Sequence, residues 1–357
     1  MTTPLHIGIV GAGAIATLGH IPGFQKLPDV QITAICDTNL ERARTVAARF
    51  GIPNVYEDYR EMLAKAELDA ISVGVPNAFH APITLAALEA GKHVLCEKPL
   101  ATSVADGRAM VEAAERAGRV LAVNMHSRLR ADMTVLRAMI AQGRLGKIGY
   151  TSARWFRRSG IPGFGSWFTQ RQLSGGGVLM DIGVHMLDLA LWLLGFPRVT
   201  AVRGEIQAIH GPRGRGLGGW GVDHIPGGTF DVEDFAATHL RLADGGLVTI
   251  EVSWAVHGRD EMRVQLFGDE GGADAFPDLF GTSTPLRLFR DEGGTPVDII
   301  PTLPRFTGSE WDRSMARFVA AIREGAEPTA TGQEALTVLE LLDATYRSAL
   351  EGREIVI

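Results

Sequence analysis

The chain has 357 residues, long enough for two domains, with 46% hydrophobic and 21% charged residues, a balance that excludes a disordered or fibrous protein. Its formal net charge of −6 gives no global electrostatic reason to bind nucleic acid or an anionic membrane. There is no basic-then-apolar leader, and the longest mainly apolar stretch, residues 178–194, is short for a bilayer and interrupted by Asp181, His185 and Asp188, so a cytoplasmic protein without a membrane partner is expected.

The first third alternates strand-like and helix-like segments. Residues 5–10 are an apolar run leading into Gly11-Ala12-Gly13. A second run, 31–36, ends at Asp37, and a helix over 39–49 follows, closed by Gly51. A third strand, 69–75, ends at Pro76, and the helix 79–90 closes with Gly91. A fourth, 92–96, ends at Glu97-Lys98-Pro99. The helix 102–117 then closes with Gly118, and 119–124 is a strand. Continuous apolar strands between glycine-terminated helices predict a parallel, doubly wound α/β sheet over residues 1–124. Cys36 and Cys96 fall inside these runs with no ligand-like spacing around them, which reads as two buried reduced thiols and no metal site.

Beyond Asn124 the pattern changes. A helix over 131–142, an alternating strand over 150–157 and a long helix over 174–194 precede four strands, 199–209, 231–242, 247–253 and 261–267. Asp244-Gly245-Gly246 reads as a hairpin turn between the second and third of these, and two helices, 311–324 and 333–350, end the chain. Residues 125–357 are therefore expected to form a second α/β domain on an open, mostly antiparallel sheet. Residues 211–228 carry eight glycines and little periodicity, the signature of a long loop.

The run 5–10 opens directly into Gly11-Ala12-Gly13-Ala14-Ile15-Ala16, the G-x-G-x-x-A form of a dinucleotide fingerprint between a strand and a helix. Gly11 suits the tight turn and Gly13 the close approach of a pyrophosphate, with Ala14 and Ile15 opening the helix whose N–H groups favour negative charge. Asp37, 24 residues after Gly13, can accept hydrogen bonds from both adenosine ribose hydroxyls and repel a 2′-phosphate, which favours NAD with NADP possible; it can also simply cap the helix near Asn39. Replacing Asp37 should relax that preference, and an arginine added nearby should reverse it.

Asp181, His185 and Asp188 share one face of an otherwise apolar helix, behind Gly175-Gly176-Gly177. Burying charge is costly without a partner or a purpose, so this stripe reads as the wall of a polar cavity, with Asp181 and His185 catalytic and Asp188 a structural partner. A lone His185 would read as a satisfied core histidine; the aligned Asp181 turns the reading to catalysis. Lys98 stands at the carboxyl end of a parallel strand, where ligands of open α/β sheets bind, and Pro99 restricts it to extended geometry.

With these residues assembled, the chain resembles the Gfo/Idh/MocA oxidoreductase family over essentially its whole length. The resemblance rests on residues 11–16, on Val75-Pro76-Asn77-Ala78-Phe79-His80, on Ala90-Gly91-Lys92-His93-Val94-Leu95-Cys96-Glu97-Lys98-Pro99, on Gly175-Gly176-Gly177 running into Asp181-Ile182-Gly183-Val184-His185, and on the tail 343–352. Val75 departs from the threonine that many relatives carry before Pro-Asn. The resemblance implies a Rossmann domain, then an α/β domain whose open sheet often forms the oligomer interface, hence a homodimer or homotetramer. It implies a catalytic set of Lys98, Asp181 and His185, with Pro76, Asn77, His80 and Glu97 lining the cofactor side.

The expected reaction is hydride transfer between NAD and a secondary alcohol of a sugar or polyol. His185 would take the hydroxyl proton, Asp181 would orient the substrate or the imidazole, and Lys98 would hold the alkoxide-like oxygen. Arg128, Trp155, Arg157, Arg158, Trp167 and Phe168 precede the helix and are candidates to shape the substrate pocket. A lyase or glycosidase working through transient oxidation, and a non-enzymatic sensor of the same fold, remain alternatives.

Overall fold

The apolar runs of the first third pair side by side. In the computed structural model, which describes residues 3–219, 224–275 and 286–357, they are β1 (Leu5–Val10), β2 (Val30–Cys36), β3 (Asn54–Tyr56), β4 (Ala70–Val73), β5 (His93–Cys96) and β6 (Leu121–Val123). All pairings are parallel, in the order β3-β2-β1-β4-β5-β6, so the chain reverses its winding direction at β1. Ligands bind in the crevice at such a switch point. Between the strands lie α1 (Ile21–Gln25), α2 (Leu40–Phe50), α3 (Tyr59–Lys65), α4 (His80–Glu89) and α5 (Val104–Ala117). Side chains of Asn39 and Ser103 accept backbone N–H groups at the starts of α2 and α5, and left-handed Gly51 and Gly118 end them. The short β3 and α3 escape a sequence reading because three and seven residues carry little periodicity.

Among the described residues the second sheet has nine strands: β7 (Ile148–Phe156), β8 (Val199–Gln207), β9 (Phe235–Leu242), β10 (Leu247–Ser253), β11 (Glu261–Gly268), β12 (Gly272–Ala275), β13 (Leu286–Glu292), β14 (Thr295–Ile299) and β15 (Ile355–Val356). Their order is β14-β13-β12-β11-β7-β10-β9-β8-β15, antiparallel throughout except for the parallel pair β7 and β10. Helices α6 (Ala131–Ala141), α7 (Arg171–Ser174) and α8 (Val184–Leu194) belong with it. Val248, Ile250 and Val252 on β10, with Met262, Val264 and Leu266 on β11, alternate inward and are buried.

The opposite face is charged and aromatic. Arg154 pairs with Glu251 and lies 3.7 Å from Glu261, Arg263 forks onto Asp274, and Tyr150 stacks on Phe267 at one end. The long helix expected over 174–194 is also interrupted. After α7 the chain passes through Gly175 (φ +80°), enters a π-helical turn at Leu179–Gly183 and continues as α8. By length and composition the run Arg171–Leu194 could cross a membrane, but 89% of its apolar window is buried here, as in a core helix.

Two helices close the chain, α9 (Glu310–Glu324) and α10 (Gly332–Glu351). The chain divides into two units, residues 1–126 with 307–339 and residues 127–306 with 340–357, instead of at 124/125 alone. The reason is packing: Met315 and Phe318 of α9 join Ile7, Ile9, Ile21 and Phe24 in the first unit's core, with Phe24 edge-on to Phe318. Both cysteines are free and buried, and burial together with Asp37 pushes the Cys36 thiol up to about 12, so it stays protonated. Of the glycine-rich loop, residues 220–223 lie outside the described residues; elsewhere in it Ile161 bridges to Leu217.

Candidate active site

The nucleotide half is built at the carboxyl ends of β1, β2, β4 and β5. Gly11 leaves β1 with φ +98°, and a Cβ on it would lie 2.3 Å from the Gly74 carbonyl oxygen, so only glycine closes this turn. Gly13 is small for a different reason. A Cβ there would meet no protein atom within 4 Å, so the room it leaves suits a ligand at the start of the helix that Ala14 and Ile15 open. These residues fit the pyrophosphate of a dinucleotide.

Asp37 ties strand end to loop: Oδ2 accepts the Ala12 N–H (2.8 Å) and Oδ1 the Asn39 N–H (2.8 Å). It does not cap α2; Asn39 does, accepting the Arg42 N–H at 3.0 Å. Arg42 forks onto the same carboxylate, Nε to Oδ2 at 3.1 Å and Nη2 to Oδ1 at 2.7 Å. The arginine that a sequence reading would add is therefore already present, half-exposed beside the Asp37 carboxylate.

Two expected cofactor-lining side chains turn inward instead. His80 is fully buried, with Nδ1 2.8 Å from the Pro99 carbonyl oxygen and Nε2 3.0 Å from that of Val75. It braces the turn after Lys98 against the end of β4. Glu97 sends Oε1 to His20 Nε2 (2.9 Å) and Asn124 Nδ2 (2.6 Å), and Asn124 in turn accepts from Ser314 Oγ (2.7 Å). Its Oε2 accepts the Lys98 backbone N–H at 3.2 Å. Burial alone would raise the pKa of Glu97, but the bonds and charges of His20, His126 and Asn124 outweigh it and bring the carboxyl to about 2. The network holds the strand end from which Lys98 projects, across a cis Lys98–Pro99 peptide. Pro76 stays partly exposed at the start of the short turn Asn77–Phe79, and Asn77 is buried there.

In the second unit the three polar residues of the helix face meet different ends. Asp188 is fully buried and held bidentately by Arg128, Nε at 2.9 Å and Nη2 at 2.6 Å. Arg128, expected near substrate, is itself 2% exposed and packs its guanidinium over Phe196 and Trp192, so it is a structural partner of Asp188. Asp181 lies in the π-helical turn, with Trp254 Nε1 donating to Oδ2 at 2.9 Å and Arg157 Nη1 4.0 Å from the same oxygen. The imidazole of His185 faces the Trp155 indole at 6.2 Å, and the Arg157 guanidinium lies over that indole at 4.8 Å. Asp181, His185, Trp155 and Arg157 thus gather. Among the described residues the buried Trp155 Nε1 has no hydrogen-bond partner. Trp167 and Phe168 instead stack on each other at 3.8 Å in a turn capped by Ser166.

Sequence reasoning misses the residues that hold this helix in place. Buried Glu233 accepts the Gly177 (2.9 Å) and Leu179 (3.1 Å) N–H groups and the Tyr346 hydroxyl (2.8 Å) on Oε1, while its backbone carbonyl accepts the Val178 N–H. A Cβ on Gly177 would sit 1.9 Å from the Glu233 carbonyl oxygen and one on Gly176 2.0 Å from the Tyr346 hydroxyl, which explains the glycine run. Trp254, like Glu233, stands far along the chain from the residue it serves, and no local pattern marks either. The pair of acids Glu233-Asp234 at the head of an apolar strand is the one available hint.

Comparison with known proteins identifies the family. The family GFO_IDH_MocA, described as an oxidoreductase family with an NAD-binding Rossmann fold, matches residues 5–125, and the GFO/IDH/MocA C-terminal domain matches residues 133–274. The chain is 34% identical to D-glucoside 3-dehydrogenase of Escherichia coli (strain K12) over 360 aligned residues, covering 99% of this chain and 98% of that protein. It superposes on aldose-aldose oxidoreductase from Caulobacter crescentus, complexed with glycerol, with a TM-score of 0.83 at 27% identity, covering 99% and 100% of the two chains. It also superposes on GenD2 from gentamicin A biosynthesis, in complex with NAD, with a TM-score of 0.79 at 27% identity, covering 100% and 97%.

Proposed function

The chain belongs to the Gfo/Idh/MocA family of oxidoreductases, and on that premise we propose that it transfers hydride between NAD and a secondary hydroxyl of a small carbohydrate. The observation that carries the reading is the contrast on one helix face. Asp188 is neutralised by a buried arginine, while Asp181 and His185 are grouped with an indole N–H lacking a protein partner. A buried donor left unpaired costs roughly 1–3 kcal/mol, which a bound hydroxyl would recover.

NAD, when bound, supplies the hydride acceptor; the Gly11–Ala16 loop and Asp37 would hold it, and Asp37 favours its free ribose hydroxyls over a 2′-phosphate. His185 takes the hydroxyl proton, Asp181 directs the substrate through an oxygen already oriented by Trp254, and Lys98 steadies the developing negative charge. The faces of Trp155 suit the apolar C–H faces of a sugar ring, and Arg157 supplies donors at its rim. The relatives named above carry dehydrogenase or oxidoreductase names where they state an activity, which does not favour the lyase or sensor alternatives.

The open face of the nine-stranded sheet, with its alternating charges and terminal aromatics, supports a homodimer formed on that face, a self-complementary surface of the kind two-fold symmetry needs. The test of function is NADH absorbance with a panel of glucosides, free aldoses, inositols and sugar acids. Reduction of NAD by at least one of them is expected, and none across the panel would overturn the reading.

A further inference from the structure

The second unit contains a cleft of about 440 Å³ lined by Arg158, Arg215, His210, His257, Asp260 and Gly216, together with small apolar neighbours. We propose that it is a subsite for a compact oxyanion, a phosphomonoester or carboxylate carried by the carbohydrate substrate. Its charge is unbalanced. Among the described residues no carboxylate lies within ion-pair distance of the Arg158 or Arg215 guanidinium, whereas Arg42, Arg128, Arg154 and Arg263 all have acidic partners. The one carboxylate in the lining, Asp260, accepts the Arg158 backbone N–H at 2.9 Å. Two forked guanidinia with no acid of their own match the geometry of a phosphate or carboxylate.

The walls are built in advance. Asp234 accepts the N–H groups of Ile209, His210 and Gly211 at 2.9, 2.7 and 2.6 Å, fixing the backbone beneath His210. The His210 and His257 rings meet edge to face at 4.9 Å, and the Arg215 N–H returns to the His210 carbonyl at 3.1 Å. Ile161 donates to the Gly216 carbonyl at 2.8 Å, and a Cβ on Gly216 would fall 2.4 Å from that of Ala255, so only glycine lets the loop seat here. The cleft shares its chain segments with the catalytic face. Arg158 follows Arg157, and Ala255 follows Trp254, the two residues gathered at Asp181. We assign the two places to one ligand, a carbohydrate whose acidic group lies away from the hydroxyl that reaches Asp181. This step rests on the carbohydrate reading above; the anion site itself does not.

Titration calorimetry with inorganic phosphate and, separately, acetate, without nucleotide or sugar, tests the cleft directly. Phosphate or acetate should bind the wild type, and the Arg158→Ala/Arg215→Ala variant should lose at least ten-fold in affinity, while Arg213→Ala, one positive charge removed nearby, should not. The tighter anion names the group. Binding of neither anion, or equal binding in the double variant (an adventitious ion only), overturns the site whatever the enzyme oxidises. With NAD, glucose 6-phosphate or gluconate should show a KM at least ten-fold below that of glucose, a gap the double variant closes. A gap that survives the double variant, or no gap at all in an enzyme that oxidises glucose, overturns the substrate assignment.

Discussion

The two units carry their chemistry in opposite ways. In the first, the candidate groups stand at strand ends on one edge of the sheet, and each comes with its own short motif: Gly11–Gly13 after β1, Asp37 after β2, Lys98 after β5. In the second, Asp181 and His185 lie one turn apart, but their environment is assembled over long intervals, with Trp254 reaching Asp181 across 73 residues and Glu233 reaching Gly177 across 56. A parallel sheet aligns its strand ends whatever the loops contain, so position alone makes those residues candidates. A helix on an antiparallel sheet has no such privileged end, and its active face must be tied down by distant side chains.

The largest effects should test whether both styles reach the same chemistry. His185→Ala and Lys98→Ala should each lower turnover by about 10²–10⁴-fold, the usual loss for a positioned acid–base or charge-stabilising group. NAD affinity should change no more than a few-fold, because the Gly11–Ala16 loop and Asp37 are untouched. Steady-state kinetics with the substrate found by the panel decides it; turnover within a few-fold of wild type for His185→Ala would make it a packing residue beside Trp155.

Next comes the helix's structural end. Arg128→Met leaves Asp188 buried and uncompensated and should destabilise the protein by about 3–5 kcal/mol, visible as a lowered urea midpoint. Arg128→Met with Asp188→Leu should recover most of that loss. If the single variant were as stable as wild type, the buried pair would not be what separates Asp188 from Asp181.

The nucleotide side offers a smaller and more specific change. Since Arg42 already forks onto Asp37, Asp37→Ser alone frees a cation for a 2′-phosphate. A charge-assisted hydrogen bond is worth about 1.5–3 kcal/mol, so the ratio of NADP to NAD affinity should rise roughly 10–100-fold. Asp37→Ser/Arg42→Ala should lose that gain for NADP while remaining weak for NAD. Nucleotide titration by protein fluorescence checks this without any substrate, and an unchanged ratio in Asp37→Ser would remove Asp37 as the discriminator.

Light scattering addresses the sheet face: a dimer is expected at micromolar concentration, and Arg263→Glu, which sets an acid against Asp274, should weaken it. A monomeric wild type would leave this face a solvated one.

The same contrast decides what could be read beforehand. The alternation of apolar runs and glycine-ended helices makes the first sheet legible, and the hairpin at Asp244-Gly245-Gly246 does the same for β9 and β10. Return of residues 307–339 to the first unit is not legible, since α9 shows an amphipathic pattern without naming the surface it covers. Arg128 and Arg157 look alike in sequence, yet one is sealed against Asp188 and the other rims Asp181. Glu97 and His80 sit inside recognisable motifs, but only the fold reveals that their polar atoms point inward. Motifs locate backbone; the direction of a side chain depends on partners such as His20 and Asn124 that lie elsewhere in the chain.

The smallest effects are in pH dependence, and there the two units should differ in sign. Each unit contains a buried glutamate that positions part of the site. Glu97 is held at about 2, below its ordinary 4.5, by His20, His126 and Asn124 acting against its burial. Its folded form binds the proton more weakly than the unfolded chain. The stability it contributes is therefore complete above pH 4.5 and lost as pH falls from there through 2. Glu233 is raised instead, because burial outweighs the bonds from Tyr346 and the Leu179 N–H. Its folded form binds the proton more tightly, so its contribution is complete below the unfolded value of 4.5 and declines as pH rises through the higher folded value. A glutamine at either position keeps an acceptor oxygen for the surrounding donors and removes the titration. Urea midpoints between pH 3 and 7 should then show Glu97→Gln with a shallower acid limb and its stability deficit largest at neutral pH. Glu233→Gln should lose least, or gain, at neutral pH relative to pH 4. If both variants shifted the midpoint by the same amount at every pH, neither carboxylate would be titrating against its environment, and the Asn124 and Tyr346 bonds would act as neutral hydrogen bonds alone.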